Sequence, residues 1–235
     1  MSPPFQTNAS GNYAAANDPA KLAATGARVR ERLLAQDGVT RIAVDQADVF
    51  LVPDFATRQE CKQLVRAIDK KIDASPLFKG TEIDGFRTSS THYFDRADPA
   101  VARLERRMAD LLGIPVAHGE QMQGQRYHAG QQFKHHYDYF TVTEPYWPQE
   151  ARRGGQRTFT AMLYLNEPEE GGATDFPHLG TAFLPKRGLL LAWNNMGPDG
   201  LPNPATLHAG TPVGAGTKHI VTQWYRQDEW STYLR

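Results

Sequence analysis

From Gln121 onward the sequence breaks into short β-prone runs separated by Gly, Pro and Asn, and this bounds the fold more tightly than any other feature. The runs fall at 121–128, 133–140, 157–165, 181–184, 188–193 and 217–226. Strands of that length and spacing close into a sandwich or jelly roll. The residues before them read differently. Asp18-Pro19 supplies an N-cap followed by proline at the first helical position, with Leu22, Val29 and Leu33 on one face before Gly38. After a short strand at Val49 to Val52, Thr57-Arg58-Gln59-Glu60 forms a capping box that sends Cys61, Leu64, Val65 and Ile68 inward. A third helix opens at Asp98-Pro99, presents Val101, Leu104, Met108 and Leu111 at helical spacing, and stops at Gly113. Helices gathered ahead of an antiparallel core predict a mainly β protein of the α+β kind, buttressed on one side.

A chain of 235 residues buries one substantial core. We read residues 1–38 as a mobile arm and docking helix and 39–235 as one domain. Lysine plus arginine equals aspartate plus glutamate at 26 each, so net charge steers the chain towards neither nucleic acid nor an anionic membrane. Arg28, Arg30 and Arg32 cluster on the first helix, but Glu31 and Asp37 dilute them and a solvated face is the expectation. Cys61 is the only cysteine and cannot form an intramolecular disulfide, and the N-terminus MSPPFQTNAS lacks the basic and apolar regions of a secretion signal, so a cytoplasmic location is expected. No apolar run approaches the ~20 residues of a membrane span.

Chemistry concentrates in Phe133-Lys134-His135-His136-Tyr137-Asp138-Tyr139-Phe140. In this strand His136 and Asp138 are two apart, so both side chains leave the same face ~6.6 Å apart, and one cation can sit between them. Alternation sends His135 to the opposite face. A His-x-Asp pair alone carries little information, and a third ligand decides. His208 is the candidate, in a Pro- and Gly-rich turn region ten residues ahead of Lys218. Two histidines and one carboxylate on one side of a metal are the facial set of non-haem Fe(II) oxygenases. A carboxylate in that set leaves no place for a halide ligand, which favours hydroxylation over halogenation.

These residues and their neighbours resemble the prolyl 4-hydroxylase family of Fe(II)- and 2-oxoglutarate-dependent dioxygenases. The likeness runs from about Asp48 to Arg226 and is sharpest at Arg87-Thr88-Ser89, Glu120 with Tyr127-His128-Ala129-Gly130-Gln131, His136 to Phe140, Gly154-Gly155-Gln156-Arg157, Tyr164-Leu165-Asn166, Gly171-Gly172-Ala173-Thr174 and His208 to Arg226. It implies a double-stranded β-helix, a cupin-like jelly roll, in which His136, Asp138 and His208 hold Fe(II). It further implies that Tyr127 and Thr174 hydrogen-bond 2-oxoglutarate and that Lys218 pairs with its distal carboxylate. Arg157, Trp224 and Glu120 match positions the family uses around its peptide substrate. Dioxygen is the oxidant, ascorbate an accessory reductant, and the product 4-hydroxyproline in a proline-containing peptide or protein, with succinate and carbon dioxide released. A homodimer is compatible with the likeness.

Charge arithmetic supports the lysine: Fe(II) with Asp138 leaves one positive charge, 2-oxoglutarate brings two negative ones, and Lys218 cancels the remainder. An uncompensated charge in a low-dielectric barrel would cost several kcal/mol. Residues 218, 220, 222, 224 and 226 share one strand face, so Lys218 and Trp224 can line one cavity, although Trp224 also suits ordinary core. Phe133 stands where many family members have tyrosine, which removes a hydroxyl. Thr141 to Arg153 reads as a longer loop, either a lid or a passive connection. Two rivals stay open: an oxygenase of free amino acids or other small molecules, and a metal-binding barrel that senses or binds without turnover.

Overall fold

The computed structural model describes residues 17–75 and 85–231. The expected N-terminal arm thus lies almost wholly outside the described residues. Among the described residues the order begins with helix α1 (Pro19–Leu34), strand β1 (Thr40–Arg41) and β2 (Val49–Val52), then α2 (Arg58–Lys70), β3 (Asp73–Ala74), β4 (Ser90–Tyr93) and α3 (Pro99–Leu112). β5 (Gln123–His128), β6 (Phe133–His136), α4 (Trp147–Arg152), β7 (Arg157–Tyr164), β8 (Glu170–Gly171) and β9 (Thr174–Phe176) follow. The chain closes with β10 (Thr181–Phe183), β11 (Leu190–Asn194), β12 (His208–Gly210), β13 (Val213–Ala215) and β14 (Thr217–Arg226).

The three long helices form where local signals place them. Asp18 accepts from the Lys21 amide, Thr57 and Glu60 close a reciprocal capping box, and Asp98 accepts from Ala100. Gly113 ends α3 at φ 67°, a left-handed conformation that glycine adopts without a Cβ penalty. The arginines of α1 do face outward, and two of them fasten the helix: Arg30 pairs with Asp48 at 3.3 Å, and Arg32 donates to the Asp110 carbonyl.

A large sheet runs β1-β2-β11-β7-β14-β5-β4-β3, and a smaller one runs β10-β9-β12-β6. All their pairings are antiparallel. This is the jelly roll expected, with the helices on the outer face of the large sheet. Period-2 alternation divides the apolar residues between two cores. Phe159, Ala161 and Leu163 of β7, Leu190 and Ala192 of β11, and Val221 of β14 pack outward against Cys61, Ile68, Leu104 and Met108. Met162 and Tyr164, Leu191 and Trp193, and Ile220 point inward with Phe176 and Tyr127. Each fully buried large apolar side chain contributes ~1.5–3 kcal/mol. Gly124 lets α2 approach the sheet, since a Cβ there would lie 2.4 Å from Ile68 Cγ1. Among the described residues no helix is long and apolar enough to cross a membrane.

One strand is shorter than its sequence suggests. β6 stops at His136, not at Phe140, because its partner runs out: His208 is opposite His136, and the chain before His208 is a 3-10 turn at Pro204–Thr206 that cannot extend the ladder. Asp138 therefore sits in a bend and not on the pleat.

Candidate metal centre

The β6–β12 ladder sets His136 directly across from His208, so residues far apart in sequence bring their imidazoles to 4.3 Å between centroids. The bend after β6 carries Asp138 to the same place. It is clasped from below by Gln156, whose buried amide accepts from the Phe140 N–H at 2.6 Å and donates to its carbonyl at 2.9 Å. His136 Nε2 lies 3.9 Å from Asp138 Oδ1, and His208 Nε2 lies 3.8 Å from Asp138 Oδ2. One ligand atom from each residue falls within 4.8 Å of the others.

Protonation follows from what the outer nitrogens touch. His136 Nδ1 is 2.7 Å from the Lys134 carbonyl and His208 Nδ1 is 3.0 Å from the Thr206 carbonyl, so each Nδ1 must be the protonated nitrogen. Each Nε2 then faces the carboxylate. Burial, followed by the neighbouring His208, pushes the His136 imidazole down to about 3 and keeps it neutral. Burial alone would raise Asp138, but the imidazoles, Arg157 and a hydrogen bond from Thr160 hold it below the usual carboxylate range. A buried carboxylate flanked by two imidazole Nε2 atoms offers one divalent cation three donor atoms at once. Two imidazoles and a carboxylate on one side fit Fe(II).

Beside the triad a narrow pocket runs into the barrel, lined by Tyr127, Thr174 and Lys218. Lys218 is 2 % exposed, and its Nζ lies 5.3 Å from the Tyr127 ring centroid and 5.6 Å from that of Tyr164. Among the described residues no carboxylate pairs with it, and burial pushes the amine down to about 7. The Thr174 hydroxyl accepts from Tyr164 at 2.6 Å, which leaves its own proton to donate. On the other side a wider cleft opens, lined by Tyr137, Tyr139, Tyr146, Trp224 and Trp230. Trp224 borders both spaces.

The family described as the 2OG-Fe(II) oxygenase superfamily matches residues 122–226, a span that holds the triad and Lys218. Probable prolyl 4-hydroxylase 10 of Arabidopsis thaliana is 34% identical over 201 residues, covering 75% of this chain and 68% of the relative. The chain belongs to the prolyl 4-hydroxylase family of 2OG-Fe(II) oxygenases. A solved viral collagen prolyl hydroxylase of Paramecium Bursaria Chlorella virus-1, in complex with 2-oxoglutarate, superposes with a TM-score of 0.60 at 31% identity, covering 76% of this chain and 95% of that one. A prolyl hydroxylase from Trichoplax adhaerens, solved with a hypoxia inducible factor peptide, shares the fold at a TM-score of 0.60 and 15% identity, covering 88% and 91%. As a member of this family the chain is a 2-oxoglutarate-dependent dioxygenase using Fe(II), 2-oxoglutarate and O2.

The remaining expected residues of this dioxygenase are placed as follows. Glu120 and Arg157 line the cleft but are buried and paired, with Arg157 donating to both Glu120 oxygens at 2.6 and 2.8 Å. Arg157 also lies 4.2 Å from the Trp224 ring centroid and reaches the Asp138 carbonyl at 3.4 Å. Phe133 stacks on His136 with centroids 3.5 Å apart. His135 points away from the triad, to Asp175 at 3.2 Å. The segment 141–153 forms one wall of the cleft, anchored by Trp147 against Phe140, with Glu150 joined to Arg226.

Sequence reasoning missed Thr160, Asn195, Glu150 and Arg226 as parts of the site. Thr160 alone carried a signal, being a hydroxyl on the inward face of a strand whose outward face is Phe159, Ala161 and Leu163.

Proposed function

We propose that this dioxygenase hydroxylates prolyl residues at the 4-position in a peptide or protein, releasing succinate and carbon dioxide, with His136, Asp138 and His208 as its iron ligands. The observation that carries the reading is the convergence of three ligand atoms beside a buried amine, at the foot of a cleft open to solvent. The open, tyrosine- and tryptophan-lined cleft favours a polypeptide over a free amino acid, because an extended proline-rich chain stacks on such a surface. The names of the relatives support the same substrate class.

When bound, Fe(II) with its cosubstrate supplies the oxidising chemistry. The chain supplies orientation and dryness. Lys218 pairs with the distal carboxylate of 2-oxoglutarate, and the Tyr127 and Thr174 hydroxyls donate to it. Phe133 and Phe176 stack on His136 and His208, Trp193 meets His208 edge-on, and together they keep water from the ligands. Arg157, fixed by Glu120, holds the Asp138 loop from behind and presents Trp224 to the substrate. Incubation of the iron-loaded protein with proline-rich peptides is expected to add ~16 Da per turnover, one oxygen atom, with matching succinate. Succinate formed with no peptide gain would remove the prolyl substrate.

Lys218 makes the cosubstrate step pH-dependent. Its folded-state pKa of about 7 is below the ordinary 10.5, so between those values the unfolded chain holds one more proton. The burial penalty on stability is therefore complete below pH 7 and fades as pH rises towards 10.5. A bound dicarboxylate reverses the depression and draws the proton in. Affinity for 2-oxoglutarate should then fall by up to about tenfold per pH unit above neutrality. Calorimetric titration in buffers of different ionisation enthalpy is expected to show proton uptake on binding at mildly alkaline pH. Lys218→Met should lose that uptake, bind 2-oxoglutarate far more weakly, and raise the Tm of the ligand-free protein. Unchanged proton uptake in the variant would exclude the lysine.

A further inference from the structure

We propose that Thr160 and Asn195 are positioning residues that restrict Asp138 to coordination through one oxygen, an inference that rests on the metal reading above. The need for restriction is visible in the geometry. Asp138 straddles the site, with Oδ1 3.9 Å from one imidazole nitrogen and Oδ2 3.8 Å from the other, so both oxygens face the space a metal would fill. A carboxylate free to chelate would give the protein four of six octahedral positions. Two would remain, enough for 2-oxoglutarate and none for dioxygen. With one oxygen bound, three positions stay open.

The Thr160 hydroxyl decides between these arrangements. Its Oγ1 lies 2.7 Å from Asp138 Oδ2, and since the carboxylate is ionised the shared proton must come from threonine. That bond occupies Oδ2 and leaves Oδ1 for the metal. Asn195 fixes the direction of the hydroxyl. Its Nδ2 donates to Thr160 Oγ1 at 3.0 Å, so the threonine oxygen is already an acceptor on that side and its hydrogen turns to Asp138. All three residues are buried, Asn195 and Thr160 completely, and the Asn195 backbone is held by the Thr158 carbonyl at 2.7 Å. The relay runs from the end of β11 through β7 to the metal loop, elements that a sequence likeness alone does not connect.

Cobalt(II) tests this without turnover, because its visible absorption reports coordination number. Wild-type protein, Thr160→Val, Thr160→Ser and Asn195→Ala are each titrated with Co(II), and the loaded forms then with 2-oxoglutarate. Thr160→Val should bind one Co(II) and 2-oxoglutarate yet show an altered spectrum in the 2-oxoglutarate-loaded form, because the second carboxylate oxygen then fills the position that the wild-type protein leaves open. Thr160→Ser should restore the wild-type spectrum, and Asn195→Ala should fall between. A Thr160→Val protein with one bound Co(II) and the wild-type spectrum in the 2-oxoglutarate-loaded form would overturn the relay and leave the metal reading standing. If Thr160→Val fails to fold, wild-type values in Asn195→Ala overturn it equally. Failure of folded wild-type protein to take up Co(II) would remove the metal reading, and the relay with it.

Discussion

Asp138→Ala is expected to abolish hydroxylation and metal-dependent stabilisation together while leaving the fold intact. The residue is in a bend, outside every sheet ladder, and its carboxylate is the one anionic member of the triad. Without it two neutral imidazoles face a divalent cation with no charge to offset, and a loss of ~4 kcal/mol lowers metal affinity about a thousandfold. Wild-type protein with metal at a hundredfold excess over its Kd gains ~3 kcal/mol of stability by mass action. The variant under the same conditions should gain almost none. Thermal melts with and without Fe(II) or Mn(II) check this, beside a succinate assay. A variant whose Tm still rises with metal as the wild type's does would show that the ion sits elsewhere.

The triad was legible from residue chemistry, yet the route to it was not. Two-residue spacing suggested a pleated strand carrying both His136 and Asp138. The two do approach, but through a bend held by Gln156, since the partner strand ends at His208. That termination is non-local: β12 is three residues long, and nothing near Ala209 announces its pairing with β6. The lysine spacing and inward alternation of β14 were readable because that strand is ten residues long and keeps its period. Asn195 was not, because a hydrogen bond across strands leaves no trace in the local pattern, and the inward hydroxyl of Thr160 showed without the partners that give it a role.

The same division holds for the fold. α1, α2 and α3 were readable because their caps are local, each formed by residues at most three apart. α4 was hidden within an apparent loop because six residues are too few to show a period, and it owes its place to Trp147 burying against Phe140. Its Glu150 then joins a charge network whose other members lie in separate elements.

That network carries the second large expected effect, Glu120→Ala, which should destabilise the protein by ~3–5 kcal/mol, the usual cost of breaking a buried ion pair by removing one partner. Glu120 is 7 % exposed and accepts from Arg157 at 2.6 and 2.8 Å and from Arg226 at 2.5 Å. Arg226 retains Glu150 and the Gly155 carbonyl after the substitution, so most of the loss should come through Arg157. Burial opposes ionisation of Glu120, but the two arginines outweigh it and hold the carboxyl below its ordinary value of 4.5. Its contribution is therefore complete above that value and is lost as pH falls through the lower folded-state value. Urea unfolding at neutral pH should show the full loss, and the wild-type and variant curves should converge as the solution is acidified. Because Arg157 also bonds the Asp138 carbonyl, the variant should bind metal more weakly as well. A loss below ~1 kcal/mol at neutral pH, the range of an exposed pair, would mean that the arginines find other partners and that Glu120 does not organise the cleft.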